Sequence, residues 1–478
     1  MRNHQKFYID GQWVDPVNGG ELFDVINPAT ELKAGSIRMG DAADVDRAVS
    51  AAHRAFVSYR QLPLKERMGL IASIADVYER RMSDMAAAIS EEMGAPLHTL
   101  ARPAQAPIGL WHLKTVLAFA KDFPFEKQQG NTLLLKEPVG VCALITPWNW
   151  PMNQIVCKVA PALLTGCTVV LKPSELAPFS SQIFAEILAQ AGVPAGVFNM
   201  IQGDGAIIGP LLSSHPLVDM VSLTGSTRAG ASVARNAADT IKIVSLELGG
   251  KSANIILDDA PLEVAVKSGV LGMMANTGQS CNAPSRMLIP AHKLAAAEKI
   301  AAEVVQTLIV GDPSEPATTT GPIANARQYQ RVQSLIAAGV EEGAMLVAGG
   351  LGRPEGITRG YFAKPTIFSR VHNKMRVAQE EIFGPVLVMI PYQTEQEAIE
   401  IANDSIYGLS GFVYGGTIER ARDIARQLRT GMVHLNGASV DPAAPFGGYK
   451  QSGVGREWGG AGIEEFLETK SVMGNNLG

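Results

Sequence analysis

From about residue 139 onward, the chain alternates short apolar runs with stretches of helical sequence, and this alternation constrains the fold most strongly. Continuous apolar strands separated by helices are typical of a parallel sheet that helices cover on both faces. In such sheets, ligands bind where the carboxyl ends of the strands meet. Polar motifs follow four of the runs, so the sequence predicts a ligand site at that edge. The runs are 139–146, 168–171, 197–201, 220–223 and 241–246.

A second alternation begins near residue 253 and predicts a second α/β domain. Two other β-rich pieces, 123–135 and 466–473, lie outside both alternations, and the first has the polarity of a protruding hairpin. A length of 478 residues also allows about three domains of ~150 residues each. The apolar runs of the second alternation are 253–257, 287–289, 344–347, 366–368, 386–390 and 432–435.

Composition argues against several classes of function. The net charge is −5 and no basic run is present, so nucleic-acid binding has no electrostatic support. The four cysteines are too few for a disulfide framework and form no CxxC pair, which fits a reducing cytoplasm. The N-terminus lacks the apolar core of a signal peptide, and the most apolar stretch, 159–171, is too short to span a bilayer. The histidines show no metal-ligand spacing, so we expect no metal, no nucleic acid and no membrane partner.

One thiol and one carboxylate form the most informative pair in the chain. Cys281 lies in 276–282 (NTGQSCN), where small neighbours leave the sulfur open to a substrate. Glu247 closes a predicted strand before Gly249-Gly250, a pair that lets the backbone approach a ligand. Oxidation of an aldehyde to an acid through a covalent intermediate needs such a nucleophile and such a base, with a nicotinamide to take the hydride. Taken singly, each residue also fits a structural role, as a buried thiol or a solvated strand end.

The loop 146–151 (TPWNWP) follows the first strand of the predicted sheet. An amide such as that of Asn149 can donate to a developing oxyanion, and losing one such donor typically costs ~2.7–4 kcal/mol. Taken alone, the segment is better explained as a proline-bounded loop with two packed tryptophans.

Two further strand ends carry groups suited to a dinucleotide. Lys172 and Glu175 can hold the two hydroxyls of a ribose, and the charge of Glu175 repels a 2′-phosphate, so NAD is favoured over NADP. The alternative is an ordinary strand-to-helix loop in which Ser174 caps the helix. Gly225 allows a tight turn, and Ser226 can meet a pyrophosphate near a helix N-terminus.

Two other segments are weaker signals. The segment 203–209 has the spacing GxGxxxG, which is not the dinucleotide fingerprint GxGxxG. In 380–386 (EEIFGPV), Glu381 and Phe383 precede a strand of the second domain and can reach across a cleft to a nicotinamide ribose. A charged loop that enters a buried strand explains the same segment equally well.

Together these segments resemble the aldehyde dehydrogenase superfamily over roughly residues 7–472. The opening pieces 8–13 (YIDGQW) and 26–30 (INPAT) match its N-terminal region. The pieces 445–453 (PFGGYKQSG) and 455–457 (GRE) match its C-terminal region. The number of motifs and their order make a chance resemblance very unlikely.

The resemblance implies an α/β fold with a Rossmann-like parallel-sheet cofactor domain, a second α/β catalytic domain and a small β-rich arm that joins subunits. The NAD-binding domain maps onto 1–119 and 139–249, and the catalytic domain onto 250–464. The oligomerisation arm maps onto 120–138 and 465–478. A homodimer or homotetramer is the implied assembly, which the charged fraction of 18% also favours, because an average domain has about 25%.

The resemblance also implies roles for single residues. Cys281 would be the nucleophile, Glu247 the general base, and the Asn149 side chain with the Cys281 backbone N–H the oxyanion hole. Lys158 and Glu468 match positions that relay protons from the base. The cofactor would be NAD, with NADP less favoured. Residues placed against it are Lys172 and Glu175 on the adenosine ribose, Gly205 at the adenine, Ser226 at the pyrophosphate, Leu248, Glu381 and Phe383 at the nicotinamide end, and Thr146, Trp148, Ser174 and Gly225 elsewhere along it.

Substrate and reaction type stay partly open at this stage. The implied aldehyde tunnel has no arginine that would bind a distal carboxylate and no full aromatic box that would bind a trimethylammonium group. The tunnel residues therefore do not distinguish between aliphatic, aromatic and semialdehyde substrates. A CoA-acylating aldehyde dehydrogenase is the nearest alternative. A nicotinamide-independent cysteine hydrolase or a binding protein on the same fold is less favoured. The implied tunnel residues are Trp150, Gln154, Cys157, Ser280, Asn282, Val440 and Phe446.

Overall fold

The computed structural model describes residues 2–475, and the strands in this range form four sheets. Two sheets are large and mainly parallel, and two have three strands each. In chain order the strands are β1 (Arg2–His4), β2 (Phe7–Ile9), β3 (Gln12–Val14), β4 (Glu21–Asn27), β5 (Leu32–Met39), β6 (Glu126–Gln129), β7 (Thr132–Pro138), β8 (Val141–Ile145), β9 (Thr168–Lys172), β10 (Phe198–Met200), β11 (Met220–Thr224), β12 (Ile243–Glu247), β13 (Ala253–Ile256), β14 (Arg286–Pro290), β15 (Met345–Ala348), β16 (Thr366–Ser369), β17 (Val386–Tyr392), β18 (Ser410–Tyr414), β19 (Met432–Leu435), β20 (Gly453–Val454) and β21 (Leu467–Met473).

Helices connect most of these strands. A π-helical segment covers Leu97–Gln105, and short 3₁₀ turns cover Ala275–Gly278, Ala291–Lys293 and Lys450–Ser452. The α-helices are α1 (Ala42–Tyr59), α2 (Leu64–Arg80), α3 (Met82–Met93), α4 (Pro107–Ala120), α5 (Pro151–Thr165), α6 (Pro178–Gln190), α7 (Gly205–Ser214), α8 (Thr227–Ala238), α9 (Leu262–Met274), α10 (Leu294–Gln306), α11 (Ala326–Glu341), α12 (Arg376–Gln379), α13 (Glu395–Asn403), α14 (Ile418–Ala425) and α15 (Gly459–Glu464).

The first large sheet has the order β20-β12-β11-β8-β9-β10-β2-β3. Its five central strands are parallel, and β20, β2 and β3 add antiparallel edges. Alternate residues of β8 enter different cores: Val141 and Ala143 pack with one set of helices, Cys142 and Leu144 with the other. Because both faces are covered, such strands are apolar throughout, and the predicted parallel α/β fold is confirmed here.

The second large sheet has the order β15-β16-β17-β14-β13-β18-β19, and only the edge strand β15 is antiparallel to its neighbour. The sequence predicts six of these strands and misses β18, which pairs with β13 in the middle of the sheet. Ser410 and Gly411 interrupt its apolar run, and Gly411 provides room for Leu428, which lies 3.0 Å from an ideal Cβ at that position.

The start of β12 also differs from the prediction. The apolar run begins at residue 241, but the strand begins at Ile243. Ile241 is 93% exposed and has a left-handed backbone with a φ of 52°. It therefore belongs to the turn that follows α8, where an apolar side chain has no packing partner to hold it in the sheet.

The two β-rich pieces outside the alternations pair with each other. Strands β21, β7 and β6 form an antiparallel sheet in which Leu467 lies opposite Pro138 and Met473 opposite Thr132. The predicted domain limits remain predictions. Strand β20 lies within the range assigned to the catalytic domain but pairs with β12 of the first sheet. Met1 and residues 476–478, which the predicted limits include, lie outside the described residues.

Candidate active site

The backbone immediately before Cys281 has an unusual conformation. Asn276, Thr277 and Gly278 all lie in the left-handed region, with φ values of 51°, 57° and 68°. A β-branched residue rarely adopts this conformation, and the Thr277 hydroxyl is held there by donating to the Gly321 carbonyl at 3.1 Å. Gly278 cannot be replaced easily, because a Cβ would lie 2.1 Å from the Gly384 carbonyl oxygen. This turn redirects the chain at the end of α9 and presents the cysteine.

Cys281 is partly accessible, whereas the other three cysteines are buried, and none forms a disulfide. Burial raises the pKa of its thiol, and the charges of Glu247 and Glu381 raise it further. The backbone N–H groups of Cys281 and Asn282 act in the opposite direction. The thiol therefore holds its proton at neutral pH, and a positive charge placed beside it would lower its pKa.

Asn149 is held against the Cys281 loop by several hydrogen bonds. Its side-chain Nδ2 donates to the Gln279 carbonyl at 3.0 Å. Its backbone carbonyl accepts from Asn276 Nδ2 at 2.9 Å and from Gln105 Nε2 at 3.4 Å. The amide predicted as an oxyanion donor thus lies beside the predicted nucleophile, although 130 residues separate Asn149 from Gln279.

Glu247 ends β12 and is 3% exposed. Neither of its carboxylate oxygens has a hydrogen-bond partner among the described residues. Its segment contacts the Cys281 loop directly, because a Cβ on Gly250 would lie 2.2 Å from the Cys281 carbonyl oxygen. Burial raises the pKa of the Glu247 carboxyl and Glu457 raises it further, while Lys158 and Arg456 lower it. A buried carboxylate without a partner costs stability, and such groups cluster at functional sites.

The structure places Lys158 and Glu468, the two residues predicted to relay protons, in different surroundings. Lys158 forms a buried ion pair with Glu457, and its Nζ also donates to Ser222 Oγ at 3.0 Å. Glu468 is exposed on β21, opposite Glu137, because the chain has by then turned into the separate antiparallel sheet. The residue that pairs with Lys158 is Glu457, in the segment 455–457, and it lies 299 positions after Lys158 in the chain.

A cleft of about 510 Å³ opens beside Cys281. It includes side chains that the sequence does not single out, and these come from the end of β11, the first turns of α8 and α11, and the segment before β18. No motif marks the residues of α11 and of the segment before β18, because they lie on an ordinary amphipathic helix and in an irregular loop. Residues predicted from the sequence that line the cleft are Trp148, Asn149, Gly225, Ser226, Leu248, Cys281, Glu381 and Phe383, and the unpredicted ones include Thr224, Thr227, Arg228, Arg327, Gln328, Arg331 and Tyr407.

Near Cys281, the loop that carries Glu381 and Phe383 forms one wall of this cleft. Glu381 Oε1 accepts the Gly250 N–H at 3.0 Å. The Phe383 ring contacts the Trp148 ring edge to face, with centroids 5.5 Å apart. Gln328 Nε2 donates to the carbonyls of Ile382 and Phe383, at 2.8 and 3.0 Å, and so fixes the loop. Burial raises the pKa of Glu381 to about 7, although the Gly250 N–H lowers it.

At the opening turn of α8, Ser226 is the N-cap residue and its hydroxyl accepts from the Ala229 N–H at 3.2 Å. Ser226, Thr227 and Arg228 line the cleft. The first N–H groups of the helix therefore lie beside this space, where helix N-termini favour a negatively charged group.

The remaining predicted cofactor residues group at the neighbouring ends of β8 and β9. Lys172 Nζ lies 2.8 Å from Glu175 Oε2, and a Cβ on Gly205 would lie 3.5 Å from that same Nζ. The Thr146 N–H donates to the Lys172 carbonyl at 3.1 Å, which joins the two strand ends. Ser174 accepts from the Leu176 N–H rather than capping α6, which begins at Pro178. These residues lie outside the lining of the cleft.

A second cavity, of about 260 Å³, lies on the other side of the Cys281 loop. Of the implied tunnel residues, Trp150, Ser280, Asn282 and Val440 line it. Cys157 and Phe446 instead pack in a small cluster against Cys281, and Gln154 is buried.

Within residues 2–475, no three or more His, Cys, Asp or Glu side chains are placed to hold a metal. No helix of that range is long and apolar enough to cross a membrane.

Comparison with known proteins finds relatives that match nearly the whole chain. Residues 13–472 match the aldehyde dehydrogenase family. The chain is 58% identical over 474 residues to a 3-succinoylsemialdehyde-pyridine dehydrogenase from a Pseudomonas species, with 99% of each chain covered. It is 49% identical to an aldehyde dehydrogenase C mutant from Pseudomonas syringae crystallised with NAD+ and octanal, with a TM-score of 0.98 and coverage of 99% and 98%. An aldehyde dehydrogenase from Mycobacterium tuberculosis in complex with NAD+ is 41% identical, with a TM-score of 0.96 and 98% of both chains covered.

Proposed function

The chain belongs to the aldehyde dehydrogenase family, and we propose that it oxidises an uncharged aldehyde to the carboxylic acid with NAD+ and with water as the second nucleophile. One observation carries the proposal: a partly accessible thiol, Cys281, lies close to a buried carboxylate without a partner, Glu247, beside a cleft of about 510 Å³. Structures of relatives with NAD+ and octanal, and a relative named for a pyridine-bearing semialdehyde, support the choice of cofactor and substrate.

The first half of the proposed reaction depends on Cys281 and Asn149. The Cys281 thiolate adds to the aldehyde carbon, and the carbonyl oxygen becomes an oxyanion that accepts from Asn149 Nδ2 and from the Cys281 backbone N–H. When bound, NAD+ supplies a positive charge near the thiol and accepts the hydride that leaves the carbon. The carbon is thereby oxidised to the level of a thioester on Cys281.

The second half depends on Glu247. The carboxylate takes a proton from a water molecule, the water oxygen adds to the thioester carbon, and the carbon–sulfur bond breaks. The carboxylic acid leaves and the Cys281 thiolate returns. We propose that Lys158 and Glu457 carry the proton onward, since both influence the pKa of Glu247 through their charges.

Enzyme assays can separate this function from the CoA-acylating alternative. Purified protein with NAD+ and octanal is expected to form NADH and octanoic acid at a steady rate without CoA. A rate that appears only after CoA is added would contradict release by water. The absence of NADH with any aldehyde would contradict the dehydrogenase function itself.

We expect NAD+ to be preferred over NADP+, because Glu175 would repel a 2′-phosphate at the adenosine ribose. Glu175→Gln removes that charge and is expected to raise kcat/KM for NADP+ about tenfold, an effect of ~1.4 kcal/mol. The control is Glu355→Gln, which removes the same charge from an exposed loop. A wild-type preference for NADP+ would refute the assignment, and Lys172, 2.8 Å from Glu175, is the residue that would explain it.

We also propose a homodimer or homotetramer in the cytoplasm. Strand β21 is an edge of the small antiparallel sheet and leaves one side of its backbone unpaired within that sheet. Its Met473 is 76% exposed, and such edges favour pairing with another chain. The four free cysteines fit a reducing compartment. Light scattering is expected to give two or four times the chain mass of 50.7 kDa, and a monomer mass would contradict the assembly.

A further inference from the structure

The π-helical segment Leu97–Gln105 lies before α4 and ends at a buried glutamine. Two backbone hydrogen bonds here span five residues: the Ala101 N–H donates to the Pro96 carbonyl at 2.8 Å, and the Ala106 N–H donates to the Ala101 carbonyl at 2.9 Å. Within the segment, only Ala101 and Gln105 are buried. Turns of this wide type are rare and frequently occur at functional sites, so the contacts of the Gln105 side chain are informative.

The Gln105 amide contacts a residue 171 positions later in the chain. Its Nε2 donates to Asn276 Oδ1 at 3.0 Å and to the Asn149 carbonyl at 3.4 Å. Asn276 Nδ2 in turn donates to the Asn149 carbonyl at 2.9 Å and to the Gln279 carbonyl at 3.1 Å. All four residues are buried. These hydrogen bonds connect the π-helical segment with the loop that follows β8 and with the turn that precedes Cys281.

The two carbonyls determine how the Asn276 amide is oriented. A backbone carbonyl can only accept, so the NH₂ group of Asn276 must face both carbonyls, and its Oδ1 must face the other way. Oδ1 then needs a donor, and among residues 2–475 that donor is Gln105 Nε2. Without the Gln105 amide, the buried oxygen of Asn276 would have no partner, and the contact that favours this orientation would be lost.

The orientation of Asn276 matters because it supports Asn149, the proposed donor to the oxyanion. An asparagine amide has two N–H hydrogens. One hydrogen of Asn149 Nδ2 is donated to the Gln279 carbonyl at 3.0 Å, which leaves the other for the oxygen of an aldehyde. Asn276 donates both to the Asn149 backbone and to that same Gln279 carbonyl, so it fixes both supports of the donor. A donor that is already in place does not have to reorganise as negative charge develops.

We infer that Gln105 is a positioning residue for the oxyanion donor, and that it acts on Asn149 through Asn276. Gln105 lines neither the cleft nor the cavity beside Cys281, so its effect does not require contact with the cofactor or the substrate. The inference rests on the proposed dehydrogenase function and assigns the π-helical segment a part in it.

The test measures the rate of the first NADH turnover with octanal by rapid mixing. Gln105→Met keeps the length of the side chain but removes its donor, and is expected to lower this rate about tenfold, because a small misplacement of a reacting group is costly. Binding of NAD+, measured by tryptophan fluorescence, should not change. In an Asn149→Ala background the same substitution should change the rate by less than about twofold, because the donor that it positions is absent. Gln182→Met makes the same change at a buried position of α6 and is the control.

Alkylation of Cys281 by iodoacetamide provides a second measurement. In this reaction the thiolate displaces iodide from a CH₂ group, and no oxyanion forms. Gln105→Met is therefore expected to leave the rate of alkylation within about twofold of wild type, as for a contact that acts on a different group. A parallel fall in alkylation and in NADH formation would mean that Gln105 acts on the thiol, and would overturn the inference.

The remaining outcomes are equally decisive. An unchanged first turnover in Gln105→Met would overturn the inference, and so would an equal loss in the wild-type and Asn149→Ala backgrounds. If Gln105→Met does not fold, by its thermal unfolding profile, Asn276→Gly interrupts the same connection and takes its place in every comparison. Glycine suits that position, because the backbone there has a φ of 51°. If wild type forms no NADH with octanal, the proposed dehydrogenase function itself has failed, which is a different result.

Discussion

Cys281→Ala is expected to lower aldehyde-dependent NADH formation by at least about a thousandfold, because the hydride leaves only from the adduct that the thiolate forms. Binding of NAD+ should survive, since the sulfur is one of many groups along the cleft. Quenching of tryptophan fluorescence by NAD+ is a suitable measure, because Trp148 lines that cleft.

Cys142→Ala is the matched control for this variant. Cys142 is the second residue of β8 and is fully buried, so its loss is expected to affect stability more than turnover. An alanine at position 281 that retained more than about a hundredth of the wild-type rate would rule out Cys281 as the nucleophile. Loss of NAD+ binding together with turnover would instead indicate that the substitution had disturbed the left-handed turn before it.

Glu247→Gln is expected to leave the first burst of NADH largely intact while steady-state turnover falls by about a hundredfold or more, the usual effect of losing a general base. Acyl-enzyme should accumulate on Cys281, because water attacks a thioester slowly without a base. Burial and the charge of Glu457 raise the pKa of Glu247, so in wild type deacylation should increase with pH well above the ordinary range of a glutamate. That increase should disappear in the variant.

Rapid mixing with detection of NADH, combined with the mass of the intact protein, measures both halves of the reaction. Glu468→Gln is the control, because this exposed carboxylate on β21 is expected to have no part in the chemistry. Normal turnover by Glu247→Gln would contradict the assignment of the base. Loss of the burst as well would show that Glu247 also removes the proton from the thiol.

Most of the fold could be predicted because buried parallel strands are apolar on both faces and stand out between helices. The prediction was wrong where local sequence and burial disagree. At β18, two small residues interrupt the apolar pattern although the strand is central. At Ile241 an apolar residue lies in an exposed turn. Pairing between distant segments, such as β20 with β12, leaves no periodic signal and could not be predicted.

The candidate site could be predicted in part for a similar reason. Short motifs at strand ends mark groups such as Lys172 and Ser226, because the sheet brings strand ends together whatever lies between them. The side chains that α11 contributes carry no motif. Gln328, for example, donates to backbone carbonyls of the loop that carries Glu381 and Phe383. The ion pair of Lys158 with Glu457 joins residues 299 positions apart, and no local pattern indicates which glutamate of the final segment lies beside Lys158.

The return of the chain to the first sheet limits how this protein can be recombined with its relatives. After completing the second sheet at β19, the chain adds β20 to the edge beside β12 and supplies Glu457 to the surroundings of Glu247. A chimaera joined once, between the two large sheets, would therefore pair the base of one parent with the final segment of the other. Exchanging cofactor preference or substrate range between family members requires two junctions, with residues from 453 onward kept with the first sheet.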